Sequence, residues 1–242
     1  MAIEDVTERK RLHDELVRSN EDLQRFAYVA AHDLRTPLNS ALSLTELLAQ
    51  RTQGKLNTQD QEILRLSIES MQRLNVLMTD ILTFSGVGHA PLQVSLIALN
   101  DPLEIALGNL KHHIDEVGGS VVIGSLPTVR SDRTQMVMVF QNLIGNALKY
   151  RREETPHIRI DAVLDGSHWR ISVADNGQGF EAQYAAMIFE PFKRLHGLSV
   201  KGSGIGLATC KRIVERAGGR IWAEAVPGEG ATLYFTLPAE TA

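Results

Sequence analysis

The sequence has a single cysteine, Cys210, in 242 residues. That excludes an intrachain disulfide and suits a reducing compartment. No apolar run approaches the ~18 residues a membrane span requires, so no membrane contact is expected within these residues. The N-terminal residues alternate acidic and basic types, which fits neither a signal peptide nor an anchor, and the expected location is cytoplasmic. Charge of one sign is not in excess: 25 Lys and Arg stand against 29 Asp and Glu, a formal net charge of −4. A basic footprint for nucleic acid is therefore missing. There is no internal repeat and no low-complexity tract. What is present, 43% hydrophobic and 22% charged residues, is the composition of a folded chain with one large or two modest domains.

The first third is helical by pattern. Leu12, Leu16, Ser19, Leu23, Phe26 and Ala30 recur at the alternating steps of a coiled-coil seam. A coiled-coil segment is expected over 1–22, leading into a helix whose register puts His32 on the outward side. Ala31-His32-Asp33-Leu34-Arg35-Thr36-Pro37-Leu38 places a proline inside that helix, at a cost of about 3 kcal/mol. The apolar face widens through Leu34, Leu38, Leu42, Thr45 and Leu48, and Gln53 to Thr58 interrupt it. A second helix is expected from near Gln59, with a stripe of Ile63, Ser67, Ser70, Leu74, Leu77, Ile81 and Phe84. Residues 23–86 then form an antiparallel helical hairpin. Its apolar face is too wide to cover alone, which predicts a homodimer with a four-helix bundle. The glycines and proline between Ser85 and Pro91 predict a linker over 87–92.

The pattern changes after the linker. Strands are expected at Gln93–Leu99, Ser120–Ser125 and Thr128–Arg130, and helices at Asp101–Val117 and Asp132–Tyr150. Asp132 and Gln135 at the start of the latter have the spacing of a helix cap. Two alternating strands follow (Ile158, Ile160, Ala162 and Trp169, Ile171, Val173), then a glycine-rich region, a helix from Ile205 to Ala217, and two last strands. The expected fold of 93–242 is an α/β sandwich, a mixed sheet with helices on one face.

Four clusters in this half carry polar chemistry. Asn142, Asn146 and Lys149 share one helix face, opposite Met136, Phe140, Leu143 and Ala147. Amide oxygens are hard ligands and lysine supplies charge, a set suited to metal-bound phosphate. Asp175-Asn176-Gly177-Gln178-Gly179-Phe180 follows a strand, with an aspartate able to accept from a base amino group. Phe189-Glu190-Pro191-Phe192 lies in a loop. Gly202-Ser203-Gly204-Ile205-Gly206-Leu207 opens a helix, an arrangement suited to anions. No strand immediately precedes it, which argues against a dinucleotide-binding turn. Taken singly, each cluster fits an ordinary polar face, turn or packed loop as well.

Their order is informative. A histidine box, an asparagine helix, DNGQGF, FEPF and GSGIGLA in this succession resemble the sensor histidine kinases of two-component signalling, from about residue 20 to 238. The resemblance implies phosphorylation of His32 by ATP, with Asp33 as base or orienting partner and Thr36 positioning water for phosphatase activity. It implies Mg²⁺ on Asn146, phosphates near Asn142 and Lys149, and adenine on Asp175 in a pocket shaped by Gly177 and Gly179. Gly202, Gly204 and Gly206 match the phosphate-side loop, and Tyr150, Phe189, Phe192 and Leu207 fall within the same nucleotide motifs. Residues 181–203 would form a lid, basic through Lys193, Arg194, His196 and Lys201. The implied partner is the receiver domain of a response regulator. Ile3 to Lys10 resemble the last strand and exit of a PAS sensor domain, which implies such a domain upstream. Two alternatives differ in class: a non-catalytic ATP-binding scaffold, and an ATPase of the same sandwich fold of the gyrase or chaperone type.

Overall fold

A computed structural model describes residues 2–89, 91–195 and 202–239, with side chains for 11, 27–87, 91–195 and 202–239. The chain divides into two compact units at Gly86/Val87. The first unit consists of α1 (Ala2–Arg51) and most of α2 (Thr58–His89). Residues Ile3 to Lys10, expected as the end of a strand, are helical instead and continue into α1. The coiled-coil seam from Leu12 to Phe26 falls outside the residues whose side chains are described.

Helix α1 runs through Pro37 without a break. Gly54, at φ +73, turns the chain in the left-handed region that glycine enters at least cost. Asn57 then caps α2: its Oδ1 accepts from the Asp60 N–H at 2.8 Å, and its Nδ2 donates to Asp60 Oδ2 at 2.8 Å. The helices run antiparallel, since Arg35 donates to Thr79 Oγ1 at 2.8 Å while Gln72 reaches back to Glu46 at 3.4 Å. Both leave large apolar side chains in solvent, among them Leu44 at 67%, Leu48, Ile63, Leu74 and Val76.

The linker expected over 87–92 is helical as far as His89. The cause lies in Val87, which is 5% exposed and belongs to the core of the second unit. Arg216 donates to its carbonyl. Burial and that hydrogen bond hold a glycine-rich stretch in helical form.

In the second unit, β1 (Val94–Ala98) and β3 (Thr128–Asp132) make a small antiparallel sheet. The main sheet has five strands in the order β2-β4-β5-β7-β6: β2 (Ser120–Ile123), β4 (His157–Asp165), β5 (His168–Asp175), β7 (Gly230–Pro238) and β6 (Ile221–Val226). Only β2–β4 is parallel, so the sheet is mixed. Helices α3 (Asn100–Glu116), α4 (Arg133–Lys149) and α5 (Gly206–Arg216) supply the helical layer. The alternation of the strands puts Ile158, Ile160, Ile171, Val173, Leu233 and Phe235 into one core with Met136, Phe140, Leu143 and Ala147 of α4. Phe140 meets Phe235 edge-on at 5.9 Å.

Asp132 fixes where α4 begins. Its Oδ1 accepts from the Gln135 N–H at 3.1 Å, and its Oδ2 accepts from the Gln93 N–H at 3.0 Å. The carboxylate thus caps the helix and ties down the segment entering β1. We expect Asp132→Ala to lower stability by about 2 kcal/mol, the upper end for a lost cap, as measured by urea unfolding. An unchanged midpoint would show that the cap is not used.

Candidate functional site: glycine loops on a polar helix face and an exposed histidine

Helix α4 is buried on one side by its apolar stripe and leaves Asn142, Asn146 and Lys149 half-buried on the other. Asn142 Nδ2 donates to the Met138 carbonyl at 2.9 Å, which leaves its Oδ1 pointing away from the helix. The Asn146 side-chain amide has no hydrogen-bond partner among the described residues; only its backbone carbonyl is engaged, by Tyr150. Lys149 Nζ lies 3.1 Å from the Tyr150 hydroxyl and 4.6 Å from the centre of its ring.

The glycine-rich loop closes on this face. A Cβ at Gly206 would overlap Asn142 Oδ1, and one at Gly202 would overlap Lys149 Nζ. A side chain at either position would push the asparagine or lysine end aside. Gly204 turns at φ +77, and its carbonyl accepts from the Phe192 N–H at 2.9 Å. Leu207 is half-buried in the first turn of α5. The helix starts without a side-chain cap, so its first N–H groups are open to an anionic group.

Asp175 ends β5. Its Oδ1 accepts from the Gly177 N–H at 2.8 Å and from the Ala231 N–H at 3.3 Å, which leaves Oδ2 as an acceptor. Burial pushes this carboxyl above the usual carboxylate range, and the two N–H groups pull against that shift. Gly177 packs against the Tyr150 carbonyl, and Gly179 turns at φ +62 against Val226. Asp175, Gly177, Gly179, Asn142, Lys149, Tyr150 and the Gly202–Gly206 loop are therefore linked by packing into one region of the second unit.

Phe189 differs from expectation: it is 5% exposed and part of the core cluster. Phe192 is 60% exposed at φ 64. Two short 3-10 turns, Ala182–Tyr184 and Met187–Phe189, occupy the start of the expected lid, while His196 and Lys201 lie outside the described residues. Cys210 is fully buried with its thiol pushed up to about 12, which rules it out as a nucleophile. Asn176 and Gln178 stand in the Asp175–Phe180 motif with no expected role of their own; sequence reasoning missed Arg152 and the Val226–Gly230 turn, which frame Asp175 from outside the motifs. The only signal for them was the pair Gly228 and Gly230.

In the first unit His32 and Asp33 are exposed, at 65% and 73%, and His32 Nδ1 lies 3.1 Å from Asp33 Oδ1. Adjacent helix residues diverge by about 100°, and their spacing gave no reason to expect contact. The short carboxylate nevertheless reaches the imidazole. An ionised carboxylate only accepts, so this contact calls for a proton on Nδ1, and in the neutral ring Nε2 then carries the lone pair. Thr36, one turn on, is also exposed.

The Asn142–Gly206 approach has a direct test. Alanine favours a helix more than glycine, and the atom it displaces is the end of a flexible side chain. Gly206→Ala should therefore melt no lower than the parent chain while binding ATP about tenfold more weakly, by calorimetric titration. Unchanged affinity would remove Asn142 from the site.

Two family models match this chain: the His Kinase A (phospho-acceptor) domain over residues 22–89, and the histidine kinase-, DNA gyrase B- and HSP90-like ATPase over 131–241. Cyanobacterial phytochrome A of Nostoc sp. is 42% identical over 229 residues, 94% of this chain and 30% of that protein. The alginate biosynthesis sensor protein KinB of Pseudomonas aeruginosa is 33% identical over 98% of this chain and 39% of its own length. The chain thus spans about a third of the length of such relatives. Among solved structures, full-length ShkA in complex with AMPPNP superposes with a TM-score of 0.69 at 29% identity, covering 89% of this chain and 46% of that one. The histidine kinase ThkA in complex with the response regulator TrrA gives 0.61 at 21% identity, over 86% and 60%, and shows the fold. With a helical hairpin carrying an exposed histidine and a sandwich carrying glycine loops packed on the polar face of α4, this chain belongs to the sensor histidine kinases, as a catalytic core.

Proposed function

We propose that the chain binds ATP in its second unit, transfers the γ-phosphoryl group to Nε2 of His32, and passes it to an aspartate of a response regulator. The observation that carries this is His32 itself: exposed, with one nitrogen held by Asp33 and the other free. Asp175 Oδ2 is the acceptor for the adenine amino group, in a recess bounded by Gly177 and Gly179. Lys149 and the open N–H groups of α5 bind phosphate oxygens, and Asn142 orients them. Mg²⁺ fits the donor set: the uncommitted Asn146 amide offers one hard oxygen, and such ions take their remaining ligands from phosphates and water. When bound, the ion supplies charge neutralisation.

The Nε2 lone pair attacks the γ-phosphorus in line. A P–N bond forms as the P–O bond to ADP breaks, and Asp33 takes the Nδ1 proton that the phosphorylated ring makes acidic. As the phosphoryl group then moves from nitrogen to a carboxylate oxygen of the response regulator, the P–N bond breaks and the proton held by Asp33 returns to Nδ1, which leaves His32 neutral. The apolar side chains exposed on the hairpin support pairing with a second copy into a four-helix bundle. Residues 1–22 act as the coiled-coil entry from a sensor domain, 23–86 as the phosphotransfer unit, 87–92 as the connection and 93–242 as the ATP-binding domain. The reverse activity is assigned to Thr36, whose hydroxyl stands one turn from His32 and can orient water toward a phospho-aspartate.

Incubation with γ-labelled ATP and Mg²⁺ should give acid-labile label in the parent chain and none in His32→Gln. Label that persists in the variant would refute the assignment. Thr36→Ala should slow dephosphorylation of a phosphorylated receiver domain about tenfold while sparing autophosphorylation. Equal loss of both would assign Thr36 to the hairpin's structure instead.

A further inference from the structure

Arg152 lies beyond the end of α4 and outside every nucleotide motif. Its guanidinium is committed in three directions. Nε donates to the Asn176 carbonyl at 3.1 Å, Nη1 donates to the Gly228 carbonyl, and Nη2 pairs with Glu154 at 2.9 Å. The first carbonyl belongs to the residue directly after Asp175. The second belongs to the turn between β6 and β7.

That turn is also held from the other side. The Gly228 N–H donates to the Gln178 carbonyl at 2.7 Å, and the Gln178 N–H donates to the Tyr150 carbonyl at 2.8 Å. Gln178 Nε2 donates to the Arg151 carbonyl at 3.1 Å. Asn176 spends its side chain on the same framework, accepting from the His157 N–H at 2.8 Å and donating to the Thr155 carbonyl at 3.0 Å. The result is a closed circuit from the end of α4 through the loop after β5 to the β6–β7 turn and back through Arg152. Ala231, whose N–H reaches Asp175 Oδ1 at 3.3 Å, leaves that same turn. The guanidinium therefore joins the residue after Asp175 to the turn that leads into its donor on β7. A planar fork with five donors can serve two backbone carbonyls and a carboxylate at once; an ammonium lacks that fixed geometry.

We infer that Arg152 is a positioning residue for base recognition: by stapling the Asn176 carbonyl to the Gly228 carbonyl it sets the width of the recess at Asp175 and hence the preference for adenine over guanine nucleotides. This rests on the ATP-binding reading above. It makes Arg152 act through Asp175, on the base, and leaves the phosphate end, built from Asn142, Asn146 and Lys149, unaffected.

The test measures Kd for ATP and for GTP, and the maximal rate of His32 labelling, in the parent chain, Arg152→Gln and Arg152→Lys. The ratio of the two Kd values is the deciding readout. An unfolded fraction removes sites for both nucleotides equally and leaves the ratio unmoved, so a merely structural role does not change it. In Arg152→Gln the ATP Kd should rise about tenfold, the ATP-over-GTP preference should fall at least fivefold, and labelling at saturating ATP should stay within about twofold. Arg152→Lys should recover part of the preference. A parent-like preference in Arg152→Gln, or a fall in saturated labelling at parent-like Kd, overturns the inference. A parent chain that binds neither nucleotide overturns the ATP-binding reading instead, and the two failures are separable because the first requires a parent that binds.

Discussion

Close packing of glycine backbone against the polar face of α4 is the constraint on which the nucleotide site depends. Gly202 meets the Lys149 ammonium, Gly206 meets the Asn142 amide, and Gly177 meets the Tyr150 carbonyl. A Cβ would push the lysine and asparagine ends aside and would collide with the Tyr150 carbonyl, so each approach brings a loop backbone close to α4 or its end. The same helix anchors the core through Met136, Phe140, Leu143 and Ala147. One rigid element therefore positions both the hydrophobic layer and the site, and the loops take their places from it.

The two halves of the proposed reaction ask for opposite environments, and the chain offers both. The proposed nucleophile must be reachable, and His32 stands exposed on a helix with Asp33 beside it. Base recognition, the role proposed for Asp175, gains from shielding, and this carboxylate is half-buried with two backbone N–H groups on one oxygen. The cost of that burial shows in a raised carboxyl pKa, and the donors from Gly177 and Ala231 offset it.

The strongly periodic parts of the fold were legible from the residues. Alternation in β4, β5 and β7 and the stripe of α4 predicted their partners in the core, because period and burial are the same fact seen twice. The glycine motifs marked loops that pack against α4 and its end for a similar reason: a glycine at a close approach leaves a local mark. Three features left none. The helix continues through Gly86 and Gly88 because Val87 finds a buried place and Arg216 takes its carbonyl, a tertiary contact 129 positions away in sequence. Phe189 goes to the core although its motif reads as a loop. Arg152 joins two carbonyls distant in sequence, and an arginine after a helix reads as surface charge.

The central claim is that ATP bound in the sandwich domain ends as phosphohistidine on the hairpin. Tandem mass spectrometry of the chain after incubation with ATP and Mg²⁺, under conditions that preserve phosphoramidates, tests it directly. The account predicts one phosphoryl group, located on His32. Inorganic phosphate accumulating while His32 stays unmodified, or a phosphoryl group on another residue, would contradict it.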